Sequence, residues 1–346
     1  MTVYQLNPLN DDRWSRFVER HPCSSIFHTR AWQEALGRTY GYDPAVFTMT
    51  PPEAELTNGI VACRVNSWLT GRRLVSTPFA DHCDPLVTAP SDYAELLDHL
   101  ESVASAEKLR YTEVRLATPQ SPPKTRFGVA KTFAFHRLDL RPSMDDLFRR
   151  FHKAGIQRKV RRAEREGVVH QIGRSDLHLR NFYELLTVTR RRHGLPPQPL
   201  EWFQHLRVCF GDALSVHVAF KNQHPVASIL TLTHKDTLFY KYGGSDASHH
   251  SSGAMPYLFW AVIRAGQTAG LSKLDLGRSD LDNPGLITFK ERLGATPSIL
   301  TYLRFPAPRA SRRKTRYVVQ IGRQLVRVIP NGLLVQVGRL AYRHAG

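Results

Sequence analysis

The sequence predicts an α+β protein made of two similar halves and a basic, helical tail. Three observations lead there. An order of antiparallel strands, one helix and one returning strand occurs twice. At 346 residues the chain is longer than a single core ordinarily fills. The last acidic residue is Glu291, and residues 292–346 then hold eleven Lys or Arg with no Asp or Glu. Each half is expected to be a mixed, mostly antiparallel sheet flanked by helices. The expected domains are 1–140, 141–306 and a tail over 307–346.

In the first half, residues 45–49, 59–66 and 73–76 read as strands. Residues 92–108 read as an amphipathic helix, because Tyr93, Leu96, Leu97, Leu100 and Val103 share one face, with Ser91 or Asp92 as its cap. Residues 111–116 alternate like a strand. Arg141-Pro142 breaks the pattern, and Ser143 can cap the next helix. The second half repeats the scheme. Strands are expected at 215–220, 226–233 and 237–242, joined by polar turns, then a helix at 252–268 and a strand at 273–276.

Composition narrows the function. There are 48 basic and 30 acidic residues, a formal charge of +18, of which +11 lies after Glu291. Such a chain seeks anions: nucleic acid, phosphorylated small molecules or an anionic membrane face. Its four cysteines show no zinc spacing and no C-x-x-C pair, so neither a metal site nor a disulfide scaffold is expected. No apolar run approaches the ~18 residues of a spanning helix, and no signal peptide is read at the start, so a cytoplasmic location is expected. Walker A and G-x-G-x-x-G motifs are absent, which argues against nucleotide hydrolysis and Rossmann redox chemistry. Asp81-His82-Cys83-Asp84 and His249-His250 are weak candidates for a nucleophile or a base.

Three segments carry the functional reading. Residues 149–165 hold eight basic residues and one acid, Glu164, on a helix read over 147–167 that ends at Gly167. Arg158, Lys159, Arg161 and Arg162 are its best phosphate or tRNA contacts. Residues 240–290 run from a strand ending in Gly243-Gly244, through a loop, to a helix whose N-terminus carries Ser252 and Gly253. Free amides there suit an anion. The following strand delivers Arg278 and Asp280 at its C-terminal end, where α/β proteins bind ligands. Tyr242 is a further substrate contact. In the tail, residues 311–329 have helical spacing with apolar and arginine faces, and Leu333, Leu334, Val337, Leu340 and Ala341 form a second amphipathic piece. These read as a peripheral contact with an anionic membrane through 309–346.

Several segments together resemble the FemAB-like proteins, acyl or aminoacyl transferases built from two GNAT-type (N-acetyltransferase) domains. They are HPCSSIFHTRAWQEAL (21–36), TGRRLVSTPFAD (70–81), RKVRRAEREGV (158–168), TRRRHGLPPQP (189–199), GAMPYLFWAVI (253–263), LDLGRSD (274–280) and GLITFKERLGA (285–295). The resemblance spans residues 21–306. It implies two tandem GNAT-like domains with the active site in the second. It also implies amide formation on an amine-bearing envelope, peptidoglycan or exopolysaccharide precursor, with acyl-CoA or aminoacyl-tRNA as donor and no permanently bound cofactor. By the same resemblance Lys290, in the F-K motif, stabilises the developing oxyanion. The R/Q-x-x-G-x-G/A loop of ordinary N-acetyltransferases has only SHHSSGA (248–254) in its place, and the long helical arm of some cross-bridge enzymes is missing. The alternatives are a non-catalytic RNA-binding protein and a membrane-surface scaffold.

Overall fold

The computed structural model describes residues 2–117, 125–308, 326 and 329–346. They form two compact units. The first combines 1–133 with the described residues of 299–312 and 340–346, and the second combines 134–298 with the described residues of 313–339.

The first unit contains β1 (Tyr4–Leu6), α1 (Asp12–Arg20), α2 (Arg30–Tyr40), β2 (Asp43–Thr48), β3 (Ile60–Ser67), β4 (Gly71–Val75), α3 (Pro90–Ala106) and β5 (Tyr111–Leu116). Residues 299–305 of the strand β12 (Thr296–Phe305) complete it. The strand order is β1-β2-β3-β4-β5-β12, and only β4 and β5 run parallel. Helix α3 makes the crossover between them, and its Tyr93, Leu96, Leu97 and Leu100 pack on Phe47, Ile60, Leu74 and Val114. The expected cap at Ser91 or Asp92 is not used. Ala89 is the cap and Pro90 opens the helix, where its fixed φ and missing N–H carry no penalty.

The second unit contains residues 134–139 of β6 (Gly128–Asp139), α4 (Met144–Arg150), α5 (Arg158–Arg165), β7 (Val169–Gly173), α6 (Asp176–Arg192), α7 (Leu200–Phe210), β8 (Leu214–Lys221), β9 (His224–His234), β10 (Thr237–Ser245), α8 (Ala254–Thr268), β11 (Lys273–Ser279) and α9 (Pro284–Arg292). Its order is β6-β11-β10-β9-β8-β7, again with one parallel pair, β10 and β11, joined through α8. The run β2-β3-β4-α3-β5 thus recurs as β8-β9-β10-α8-β11.

The sheets depart from chain order at their sixth strand. β12 follows the second repeat but pairs with β5, from Thr301↔Leu116 to Phe305↔Thr112. Residues 134–139 of β6 pair with β11. The first unit therefore closes with residues from beyond position 298, and the second begins before position 140. Glu113 on β5 reinforces the β12 pairing, lying 2 % exposed between Arg115 (2.9 Å) and Arg304 (2.6 Å).

The helix expected over 147–167 is split. Ser143 caps α4 by accepting from the Asp146 amide, a wide turn at Lys153–Gln157 follows, and α5 ends at Gly167 with φ +69°. Most of the helix expected over 311–329 lies outside the described residues. The last piece is α10 (Asn331–Ala345), longer than its apolar spacing suggested.

Candidate acyl-transfer site

The site begins as a gap in the second sheet. β10 and β11 are hydrogen-bonded neighbours over three residue pairs only, Thr237↔Lys273 to Phe239↔Asp275. Beyond them β10 continues to Ser245 along β9, and β11 continues to Ser279 along β6. Both strands bulge where they part, β10 between Tyr240 and Tyr242 and β11 between Asp275 and Arg278. Gly277 takes φ +67° in the second bulge, and the Asp275 carboxylate accepts its amide at 2.8 Å. Each bulge bends its strand, which holds the gap open.

Lys290 braces this gap. Asn283 caps α9 by accepting the Leu286 amide, and Pro284 opens the helix. About two turns later the helix presents Lys290 inward, 3 % exposed, its Nζ donating to the Gly277 carbonyl (2.9 Å) and the Arg278 carbonyl (3.2 Å). Phe289 stacks edge-on to Phe259 of α8 (5.2 Å), which packs on Tyr240 (5.0 Å), so the charge stands beside an apolar wall. His136 on β6, which sequence reasoning missed, is fully buried nearby with neither ring nitrogen hydrogen-bonded. Burial, then the Lys290 charge, holds its pKa below the usual value, and Glu291 at 4.0 Å acts in the opposite direction.

A pocket of about 230 Å³ adjoins Phe289, walled by Lys159, Ser245, Asp246, His249 and His250. Asp246 starts its loop, accepting the Ser248 amide at 2.9 Å, a bond that holds its carboxyl below the ordinary range. His250 Nε2 lies 3.0 Å from Ser245 Oγ and 3.4 Å from Arg192. Burial first and the cations Arg192 and Lys159 favour its neutral form, against Asp246. The loop ends at Gly253, φ +77°, from which α8 starts without a side-chain cap. The first amides of α8, at Ala254 and Met255, have no acceptor a turn earlier in the helix. Among the described residues no three His, Cys, Asp or Glu side chains converge as metal ligands.

The residues singled out from the sequence are treated unequally. Ser252 is buried and donates to the His249 carbonyl at 2.6 Å, so it shapes the loop. At Gly253 a Cβ would overlap the Lys159 carbonyl oxygen, so this glycine seats α5 against the loop. Tyr242 points away from the pocket: its hydroxyl accepts from Trp202 Nε1 (2.9 Å) and its ring meets Phe203 of α7 (5.1 Å). The bulge after Tyr240 is the reason, since Tyr240 and Tyr242, two residues apart, would otherwise share a face. Arg278 contributes its carbonyl to Lys290 while its side chain is exposed. Asp280 is exposed, and its carbonyl accepts the Asn283 amide in the turn to α9. On α5, Arg158, Lys159, Arg161 and Arg162 are all exposed. They diverge: Lys159 reaches the pocket, Arg161 lies over Phe148 (5.6 Å), and Arg162 pairs with Glu166 (2.6 Å). Arg192 and Thr189, which tie α6 to Ser245, gave no sequence signal beyond charge.

The first unit fills the equivalent gap. β4 and β5 also pair over three residues, Arg73↔Tyr111 to Val75↔Glu113. Beyond them the Ser76 amide bonds the Glu113 carbonyl (2.8 Å), Ser76 Oγ accepts the Arg115 amide (2.9 Å), and the Cys83 amide bonds the Arg115 carbonyl (2.8 Å). The Arg115 guanidinium holds the carbonyls of Thr77 and Ala80. Cys83 is 1 % exposed, and burial pushes its thiol up to about 12, which removes the nucleophile considered at 81–84.

Parts of the chain are similar to known proteins. Residues 150–290 match the model of the acetyltransferase (GNAT) domain. Over 122 residues the chain is 30 % identical to the UDP-N-acetylmuramoylpentapeptide-lysine N(6)-alanyltransferase of Weissella viridescens, covering 35 % of this chain and 32 % of that protein. The match therefore spans about a third of that relative's length. Among solved structures, FemX superposes with a TM-score of 0.65 at 12 % identity, covering 98 % of this chain and 100 % of the other. L-PGS of Bacillus licheniformis gives 0.55 at 13 % identity over 92 % and 97 %. A tandem GNAT protein from the clavulanic acid biosynthesis pathway gives 0.53 at 11 % identity over 88 % and 97 %. At these identities the superpositions show a shared fold. Residues 150–290 thus match a GNAT domain, and the chain, with its duplicated sheets and its parted β10 and β11, shares the fold of FemX.

Proposed function

We propose that the second unit transfers an acyl or aminoacyl group to an amine on a cell-envelope precursor. The observation that carries this is the gap between β10 and β11, braced by a buried lysine in the second unit and plugged by backbone in the first. A donor carbonyl in the gap would be attacked by the acceptor amine. The C–N bond forms, the C–S bond of a thioester or the C–O bond of an aminoacyl ester breaks, and the amine's proton leaves with the thiol or hydroxyl. Lys290 would offset the negative charge gathering on the carbonyl oxygen, and burial beside Phe289 strengthens that effect. Holding both substrates together supplies much of the rate, so no protein nucleophile is required. The 230 Å³ pocket, with Lys159 and the α8 N-terminus, suits the phosphates of an acyl-CoA. Arg278 and Asp280 remain candidates for exposed acceptor contacts, whereas Tyr242 and Ser252 act through packing. The sequence relative supports a peptidoglycan-type acceptor, and the basic, acid-free segment after Glu291 supports a placement at the inner face of the membrane.

Calorimetric titration with acetyl-CoA tests the donor. Micromolar binding that weakens in Lys159→Glu supports an acyl-CoA donor. The exposed cations of α5, Arg158 and Lys159 foremost, favour a second donor, charged tRNA. Absence of acetyl-CoA binding at millimolar ligand, with tRNA binding whose affinity falls steeply with salt, would select it.

A further inference from the structure

The turn between β3 and β4 and the end of α10 form one surface of the first unit. Trp68 is 86 % exposed and Leu69 63 % exposed, both at the tip of the turn. The C-terminal end of α10 is fastened to this turn. Ser67 Oγ meets His344 Nδ1 at 2.9 Å, Thr70 Oγ1 donates to the His344 carbonyl at 2.8 Å, and the Trp68 ring meets the His344 ring edge-on at 5.4 Å. Leu340, 66 % exposed, lies one turn earlier on the helix. Val337 and Leu333 continue the same outward stripe at spacings of three and four. The opposite face of α10 is the packed one: Leu334 is buried, a Cβ at Gly338 would overlap the Pro197 carbonyl oxygen, and Tyr42 donates to the Tyr342 carbonyl at 2.9 Å. The apolar residues expected on one side of this helix are thus divided, Leu334 inward and Leu333, Val337 and Leu340 outward.

The surroundings are cationic. Neither 67–72 nor 331–346 contains an acidic residue. Arg72, Arg110 and Arg343 of the first unit are exposed around this surface, and Glu107 lies 3.8 Å from Arg72. An exposed Trp beside an apolar helical stripe with arginines at its flanks matches the interface of a bilayer: indole and leucine at the headgroup boundary, guanidinium on lipid phosphate. Among the described residues no helix is long and apolar enough to cross a membrane.

We infer that Trp68, Leu69 and the end of α10 from Leu340 onward together form a docking surface of the first unit for an anionic phospholipid bilayer. This deepens the membrane placement proposed above and rests on that reading, but it is independent of the donor. The test is flotation of the full chain with phosphatidylglycerol-containing vesicles against phosphatidylcholine alone. The expected result is flotation with the anionic vesicles, release by high salt, and a loss of about tenfold or more in Trp68→Glu/Leu340→Glu. Leu69→Glu alone serves as a second variant should the double variant unfold. Equal flotation with both lipids, none with either, or flotation retained by the variants overturns the inference. So does a dimer on gel filtration that the same variants disperse, since a second copy would then cover this face. Acetyl-CoA titration of the same preparations keeps the two proposals separable: vesicle binding can fail with donor binding intact, and the reverse.

Discussion

Replacing Lys290 with Met separates bracing from catalysis. Methionine keeps the length and apolar stem of the side chain and removes the charge. Two charge-assisted hydrogen bonds, to the Gly277 and Arg278 carbonyls, are lost from a residue 3 % exposed. At about 1.5–3 kcal/mol each, and offset by relief of the buried ammonium's desolvation, the net cost is about 3 kcal/mol. With a denaturant slope of about 1–3 kcal/mol per molar urea, the unfolding midpoint falls by about 1–3 M. If Lys290 also faces the developing oxyanion, turnover falls by about 10²–10³ in protein that is still folded. The assay is single-turnover product formation below the denaturation range, with urea unfolding on the same preparation. Folded Lys290→Met that turns over within about threefold of the parent would refute the electrostatic role. The lysine would then be a strut for β11 alone.

Gly253→Ala places a β-carbon on a residue at φ +77° and against the Lys159 carbonyl, so the backbone conformation alone costs about 1–3 kcal/mol and the overlap adds to it; thermal unfolding should show a drop of several degrees. Glu113→Ala should destabilise by about 3–5 kcal/mol in urea unfolding, because it leaves Arg115 unpaired in a buried site. Burial alone would raise the Glu113 carboxyl, but Arg115 and Arg304 hold it below the usual range, so the carboxylate is the form removed. Burial holds His217 neutral, its pKa down at about 3, stacked on His170 at 5.3 Å. The unfolded chain then binds more protons than the folded one between about 3 and the ordinary histidine value. Stability present near neutrality should therefore fall as the pH drops through that window, and His217→Gln should flatten the decline in urea midpoints measured from pH 7.5 to 4.5.

Much of the repeated architecture was legible because its signals are local. The α3 face at Tyr93, Leu96, Leu97 and Leu100 and the strands read at 215–220, 226–233 and 237–242 recur in the fold as α3, β8, β9 and β10. Three kinds of element escaped. β6 and β12 have strand neighbours far away in the chain, so no short window marks where they pair. Helices α6 and α7, inserted between β7 and β8, interrupt the repeat. The two bulges are invisible to a period-two reading, yet the one in β10 turns Tyr242 away from the pocket and the one in β11 aims two carbonyls at Lys290.

By itself, the sequence determined the two α+β halves, the basic helix, the charge asymmetry of the tail and the resemblance that singled out Lys290. Those follow from composition, from hydrophobic period and from motifs a few residues long. Only the tertiary structure decided which half keeps an open gap, what Lys290 touches, that Ser252, Gly253 and Tyr242 are packing residues, and that Trp68 meets the end of α10. Each of these depends on residues brought together from distant parts of the chain. Whether an amide finds a strand, a loop or an open pocket is set by that assembly, since a buried polar group must be satisfied wherever the fold places it.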